Sequence, residues 1–191
     1  MHKGVLIVLS GPSGSGKDSM LNMFLRRGND CYLSISATTR APRVGEKDGE
    51  SYHFLTKGQF EEKIAQGGFM EYAEYCGNYY GTLKAPVFEA LDKGRDVILE
   101  IETKGALNIK RQFPEAVLVF VTAPSMEELR RRLSGRGTDS AEVVERRLKK
   151  AEEEMTLIPE YHYTIVNDTL EHAAQQLEQI VAAEKKKQQQ H

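Results

Sequence analysis

The sequence has little of several things, and each shortage removes a class of function. Two cysteines, Cys31 and Cys76, occur in 191 residues. They have no metal-ligand spacing, and nothing suggests secretion, so free thiols in a reducing compartment are expected. No apolar run approaches a membrane span. The opening MHKGVLIVLSG turns to Gly and Ser too soon for a secretory leader. Cytoplasmic, with no membrane partner, is the simplest expectation. The formal net charge is only −2, so no global basic footprint marks a nucleic-acid binder. There is no internal repeat. A chain of this length can bury a core as one domain with small inserted lobes.

What the sequence does contain starts at GPSGSGKDS, Gly11 to Ser19. The phosphate-loop pattern is G-x-x-x-x-G-K followed by Ser or Thr. Gly11, Gly16 and Lys17 fit it, with Pro12, Ser13, Gly14 and Ser15 between. Asp18 stands where a hydroxyl is expected, and Ser19 comes one place late. The context is right: Val5 to Leu9 is a short, buried, β-rich run, and Met20, Leu21, Phe24 and Leu25 have helical spacing. A glycine loop lets backbone N–H groups approach phosphate oxygens, and the following helix adds its positive end. Lys17 supplies a charge for the β and γ phosphates of a bound nucleotide. Asp18 either points away or touches a Mg²⁺ shell, directly or through water, and Ser19 offers a hydroxyl to that ion.

Further along, Asp96 to Ile101, Ala116 to Val121 and Tyr163 to Asn167 read as strands. They alternate with helical stretches at Lys104 to Gln112, Ser125 to Leu133, Ala141 to Met155 and Leu170 to Glu184. The alternation predicts an α/β fold, a parallel sheet flanked by helices, with functional groups at the carboxyl ends of its strands. Thr39 to Tyr80 breaks the pattern and reads as an inserted lobe. Leu133 to Ser140, LSGRGTDS, is a polar glycine-bearing loop that reads as a mobile lid. The tail EKKKQQQH reads as frayed.

The insert carries its own chemistry. Arg40 and Arg43 lie three apart beside Ser36, Thr38 and Thr39, and two arginines can grip one phosphate. Glu71, with hydroxyls at Ser36 and Thr82, suits a base that offers adjacent N–H groups. Guanine does so through N1–H and N2–H, whereas adenine would leave the carboxylate unpaired.

With GPSGSGK, TTRAPRVGEKDG, EYAEYCGNYYGT, LEIETKGA, RLSGRGTDS, ERRL and IVND in this order, the chain resembles the guanylate kinases over nearly its whole length. The resemblance implies a phosphate-loop core at about 1–35 and 94–185, and a mixed α/β GMP-binding lobe at about 36–93. It also implies a lid at about 133–147, ahead of a tail at 185–191. It implies phosphorylation of GMP, and of dGMP, by ATP with Mg²⁺. Ser36, Glu71 and Thr82 would hold guanine, and Arg40, Arg43, Tyr52 and Tyr80 the GMP phosphate. Glu100 and Glu102 match an acidic pair near the nucleotides, Glu102 on the GMP side and Glu100 toward the metal through water. Arg132, Arg136 and Arg147 would surround the transferring group together with Lys17. Arg146 takes the place of Arg147 if the helix register slips, and Tyr79 competes with Tyr80. Asn167 and Asp168 resemble the region near adenine. Ser19 is then in register with the family's loop hydroxyl, and Asp18 alone is unusual. Lys104 stands where Gln is expected and is assigned no role. Cys76 reads as a small packing residue.

Two rival functions remain open on the sequence alone. A ribose 1,5-bisphosphate phosphokinase has a similar loop, Asp included, but no need for the guanine and phosphate set of the insert. A non-catalytic guanylate-kinase-like binding module would have lost much of the loop and lid, and here Lys17, Arg136 and Arg147 are present. Monomer and homodimer are equally open.

Overall fold

A computed structural model describes residues 3–135 and 140–190. The chain runs through β1 (Leu6–Ser10), α1 (Lys17–Arg26), β2 (Cys31–Leu33), β3 (Ala37–Thr38), β4 (His53–Phe54) and α2 (Lys57–Ala65). It continues with β5 (Phe69–Tyr75), β6 (Asn78–Leu83), α3 (Lys84–Asp92), β7 (Asp96–Glu100) and α4 (Thr103–Gln112). The last elements are β8 (Val117–Thr122), α5 (Met126–Ser134), α6 (Ala141–Met155), β9 (Tyr163–Val166) and α7 (Leu170–Gln189).

Five strands form one parallel sheet in the order β2-β7-β1-β8-β9. All of β1 is buried because helices cover both faces, which is why it reads as an unbroken apolar run. Its side chains still alternate. Ile7 and Leu9 join Met20, Phe24, Val119 and Leu177 beneath α1 and α7. Leu6 and Val8 join Val87, Leu99, Ile109 and Phe120 beneath α3 and α4. Phe24 and Phe120 are fully buried, and truncating either to alanine would cost roughly 3–5 kcal/mol.

The inserted lobe is a second sheet, β4-β3-β6-β5, in which only β3 and β4 are parallel. Phe60 of α2 fills its core, stacked 4.2 Å from Phe69 and 5.2 Å from Tyr79 by ring centroids. Tyr79 is therefore a packing residue, and strand alternation turns Tyr80 to the other face. A bulge at Met70 puts two residues of β5 against one of β6. Phe69 can thus pack in the lobe while Met70 packs in the main core, joining the two bodies.

The boundaries of β1, β7, β8 and β9 fall within one residue of expectation, while β2, β3 and β6 were not expected as strands, and three other expectations need correction. First, α3 packs on the main sheet through Val87, Ala90 and Leu91, so the lobe's own structure ends near Leu83 rather than at 93. Second, the tail is helical to Gln189. Lys185 pairs with the buried Asp96 at 2.7 Å, and Lys187 bonds Glu184 at 2.6 Å, so the lysines that suggested fraying fasten the helix. Third, Cys76 is exposed, not packed. It forms the β5–β6 turn with Gly77, at φ 51° and 75°, the pattern of a two-residue hairpin loop. Among the described residues, no helix is long and apolar enough to cross a membrane.

Candidate active site

The loop after β1 leads directly into α1 at the centre of the sheet. Gly16, the N-cap of α1, has φ 85°, and a Cβ there would lie 2.4 Å from Asn167 Nδ2. Only glycine accepts both conditions. Asn167 Nδ2 instead donates to the Ser15 carbonyl at 2.8 Å. Arg132 donates to the same oxygen at 3.3 Å and to the Asn167 carbonyl at 2.9 Å. Because the peptide is planar and trans, fixing the Ser15 carbonyl also fixes the direction of the Gly16 N–H. On this side a hollow of about 280 Å³ is lined by Ser19, Arg132, Asn167, Asp168 and Leu170, among others.

Lys17 is half-buried and folds back over its own loop, donating to the Gly11 carbonyl at 2.7 Å and to that of Pro12 at 3.4 Å. Burial pushes its pKa down, and the nearby carboxylates of Glu100, Asp18, Glu154 and Glu102 partly restore it. Asp18 lies near Glu100 at the end of β7, and burial, followed by the Asp18 carboxyl, raises Glu100 to about 7. Two carboxyls in contact cannot both stay charged without a cation or a shared proton between them.

Glu102 caps α4 and is exposed, 3.5 Å from Lys150 Nζ. Lys150 lies 3.7 Å from Glu154, which burial pushes above the usual carboxylate range. Arg147 stands one turn before Lys150 on the same face of α6 and is half-buried, whereas Arg146 is exposed. Arg136 lies outside the described residues.

In the lobe, Arg40 bonds Glu46 at 2.8 Å and lies over the Tyr52 ring at 5.4 Å. Tyr80 meets the Tyr52 ring edge-on at 6.2 Å. Glu46 also accepts the Arg43 backbone N–H at 2.7 Å, leaving the Arg43 side chain exposed. Glu71 and Thr82 face each other across β5 and β6, and the Thr82 hydroxyl donates to Glu71 Oε1 at 2.7 Å. Burial pushes the Glu71 carboxyl up, against the Thr82 bonds, and Glu102 nearby adds to the rise. Ser36 stays at the edge of the lobe sheet, where its carbonyl accepts from His53 N at 2.9 Å.

A family model described as guanylate kinase matches residues 3–184. The chain belongs to the guanylate kinase family. It is 52% identical over 183 residues to the guanylate kinase of Lactococcus lactis subsp. lactis (strain IL1403), covering 96% of this chain and 89% of that one. It is 48% identical over 184 residues to that of Clostridium perfringens (strain 13 / Type A), covering 96% and 85%. The crystal structure of guanylate kinase from Anaplasma phagocytophilum matches with TM-score 0.75 and 35% identity, covering 96% of this chain and 87% of that one.

Arg132 bonds Ser15, Asn167 and Glu128, and Glu128, Lys150 and Glu154 join the residues read from the sequence. The i,i+4 spacing of Glu128 and Arg132 was the available signal for that pairing. Lys150 and Glu154 carried no signal, because in ERRLKKAEEEM they look like a solvated helix face.

Proposed function

We propose that this chain transfers the γ-phosphoryl group of ATP to GMP, giving ADP and GDP. The observation that carries the proposal is the pairing of two built sites. One is a glycine loop under Lys17. The other is a lobe that presents a half-buried carboxylate, Glu71, held by Thr82. A sugar-phosphate kinase has no use for the second, and a mere binding module has no use for the first.

In the transfer, an oxygen of the GMP phosphate bonds to the γ phosphorus, and the bond from that phosphorus to the ADP oxygen breaks. Such a reaction needs positioning and charge neutralisation more than covalent chemistry. Lys17 and Arg147, with Arg136, supply positive charge at the migrating group. Arg132 and Asn167 hold the loop from behind. Arg40, Arg43, Tyr52 and Tyr80 hold the acceptor phosphate, while Ser36, Glu71 and Thr82 read guanine. Closure of the lid excludes water, which would otherwise take the phosphoryl group.

Mg²⁺ fits the donors present. The Ser19 hydroxyl and the Asp18 and Glu100 carboxyls are hard oxygen ligands, and the Asp18–Glu100 contact is one that a cation would relieve. Among the described residues no three His, Cys, Asp or Glu gather as a metal cage, which suits an ion brought in with nucleotide phosphates. When bound, Mg²⁺ supplies neutralisation of phosphate charge. Free cysteines fit a reducing cytoplasm.

A coupled ADP-release assay with ATP and Mg²⁺ tests the assignment by comparing GMP, AMP, UMP and ribose 1,5-bisphosphate as acceptors. Turnover on GMP far above the rest is expected. Turnover on the ribose bisphosphate instead would overturn the guanine site.

A further inference from the structure

Gly105 is the third residue of α4, in the first turn of a helix that runs from 103 to 112. Glycine is a poorer helix former than alanine. Nothing in its backbone calls for it, since Gly105 is not among the residues with positive φ. What the structure shows is a close approach. A Cβ on Gly105 would lie 2.9 Å from Glu71 Oε2, and 3.4 Å from both Glu71 Cδ and Ile101 Cδ1. The Glu71 carboxylate is thus bounded on two sides. Oε1 takes the Thr82 hydroxyl at 2.7 Å, and Oε2 rests where a side chain of α4 would begin.

We propose that Gly105 is a specificity-determining residue. By lacking a side chain, it leaves the Glu71 carboxylate at the one position from which it meets both N1–H and N2–H of guanine. The inference rests on the assignment of Glu71 as the guanine reader. A methyl group at 105 meets no backbone within its nearest contacts, only the end of a flexible glutamate and the tip of Ile101. The glutamate yields first, because turning χ angles is cheaper than moving a packed helix. The carboxylate then loses its alignment with the base, while α4 gains a better helix former. Gly105 touches no reacting atom, so it acts through Glu71 as a positioning residue.

The test is Gly105→Ala, measured with Glu71→Ala and the double variant. Thermal denaturation should show Gly105→Ala at least as stable as the unaltered chain. Its KM for GMP should rise about tenfold, with kcat at saturating GMP and KM for ATP little changed. Its preference for GMP over IMP, which lacks the 2-amino group, should narrow by a similar factor. In the Glu71→Ala background the same substitution should change the GMP KM less than about twofold, because no carboxylate remains to be displaced. An unchanged GMP KM and GMP-to-IMP preference in Gly105→Ala would overturn the proposal. So would an effect of equal size in the Glu71→Ala background, or loss of the fold, since each would mean that something other than the carboxylate responds. If Glu71→Ala itself leaves the GMP-to-IMP preference intact, the assignment of Glu71 falls and Gly105 falls with it. If Glu71 matters and Gly105→Ala is neutral, Gly105 falls alone.

Discussion

Asn167 donates from Nδ2 to the carbonyl of Ser15 at 2.8 Å, a contact spanning 152 positions of sequence. It ties the end of β9 to the phosphate loop and leaves Arg132 to share the same acceptor. Asn167→Ala should therefore cost about 1–3 kcal/mol of stability, the usual loss when a buried polar pair is broken. It should also lower kcat/KM for ATP by about tenfold, with the KM for GMP nearly unchanged. Steady-state kinetics in each substrate, with thermal denaturation, checks both. A purely structural residue would lower stability and leave the ATP constants alone.

Lys17→Ala should lower kcat by at least ~100-fold, the scale of losing one preorganised charge or donor at a phosphoryl or oxyanion site. The fold should persist, because among the described residues the Lys17 amine bonds only loop carbonyls. Circular dichroism and turnover on the same preparation separate the two effects. Turnover near that of the unaltered chain would remove Lys17 from the migrating phosphate.

Glu71→Ala should raise the KM for GMP by about 10- to 100-fold, as expected for lost hydrogen bonds to a charged, partly buried group. The KM for ATP should stay within a few-fold. The preference for GMP over AMP should shrink, because the carboxylate that adenine cannot satisfy is gone. Competition between the two acceptors in one reaction reads that ratio directly.

Glu128 gives a pH prediction. Its hydrogen bonds with Arg131 and then Arg132 hold its carboxyl at about 2. The unfolded chain binds that proton near pH 4.5, so between pH 4.5 and 2 the unfolded state carries more protons. The contribution of Glu128 to stability is present above that window and is lost as pH falls through it. The side chain is half-buried at the surface and its partner Arg131 is exposed, so the effect should be small and reduced by salt. Glu128→Gln should flatten this part of the acid limb in denaturation curves at low salt. It should also raise the KM for ATP modestly, since Arg132 loses the partner at 2.7 Å that aligns it. Superimposable acid limbs would assign Glu128 no such part.

The central strands β1, β7 and β8 were legible because they are buried on both faces, whereas the three-residue edge strand β2 was not. Leu6 to Leu9 and Val117 to Val121 are continuous apolar runs, and no surface constraint blurs them. The phosphate loop was legible because its backbone requires glycine. Gly11, Gly14 and Gly16 all have positive φ, and they stand in close succession just before Lys17. That Tyr79 rather than Tyr80 packs in the lobe was not legible, because it depends on Phe60, far away in sequence. The contacts of Arg132 with Ser15 and Asn167 were not legible. Its partners Ser15 and Asn167 come from opposite ends of the chain, so no local pattern carries the contact. The same holds for Gly105, whose neighbour Glu71 arrives from the lobe across α4. The helical tail was misjudged because Lys185 finds the buried Asp96 only after the sheet is assembled.

The most direct measurement of the central claim is ³¹P NMR of a reaction started with equal ATP and GMP in the presence of Mg²⁺. Resonances of GDP and ADP should grow together, in equal amounts, as those of ATP and GMP decline. ADP growing with inorganic phosphate while GMP stays unchanged would contradict the account, since the two sites would then not be working on one transfer.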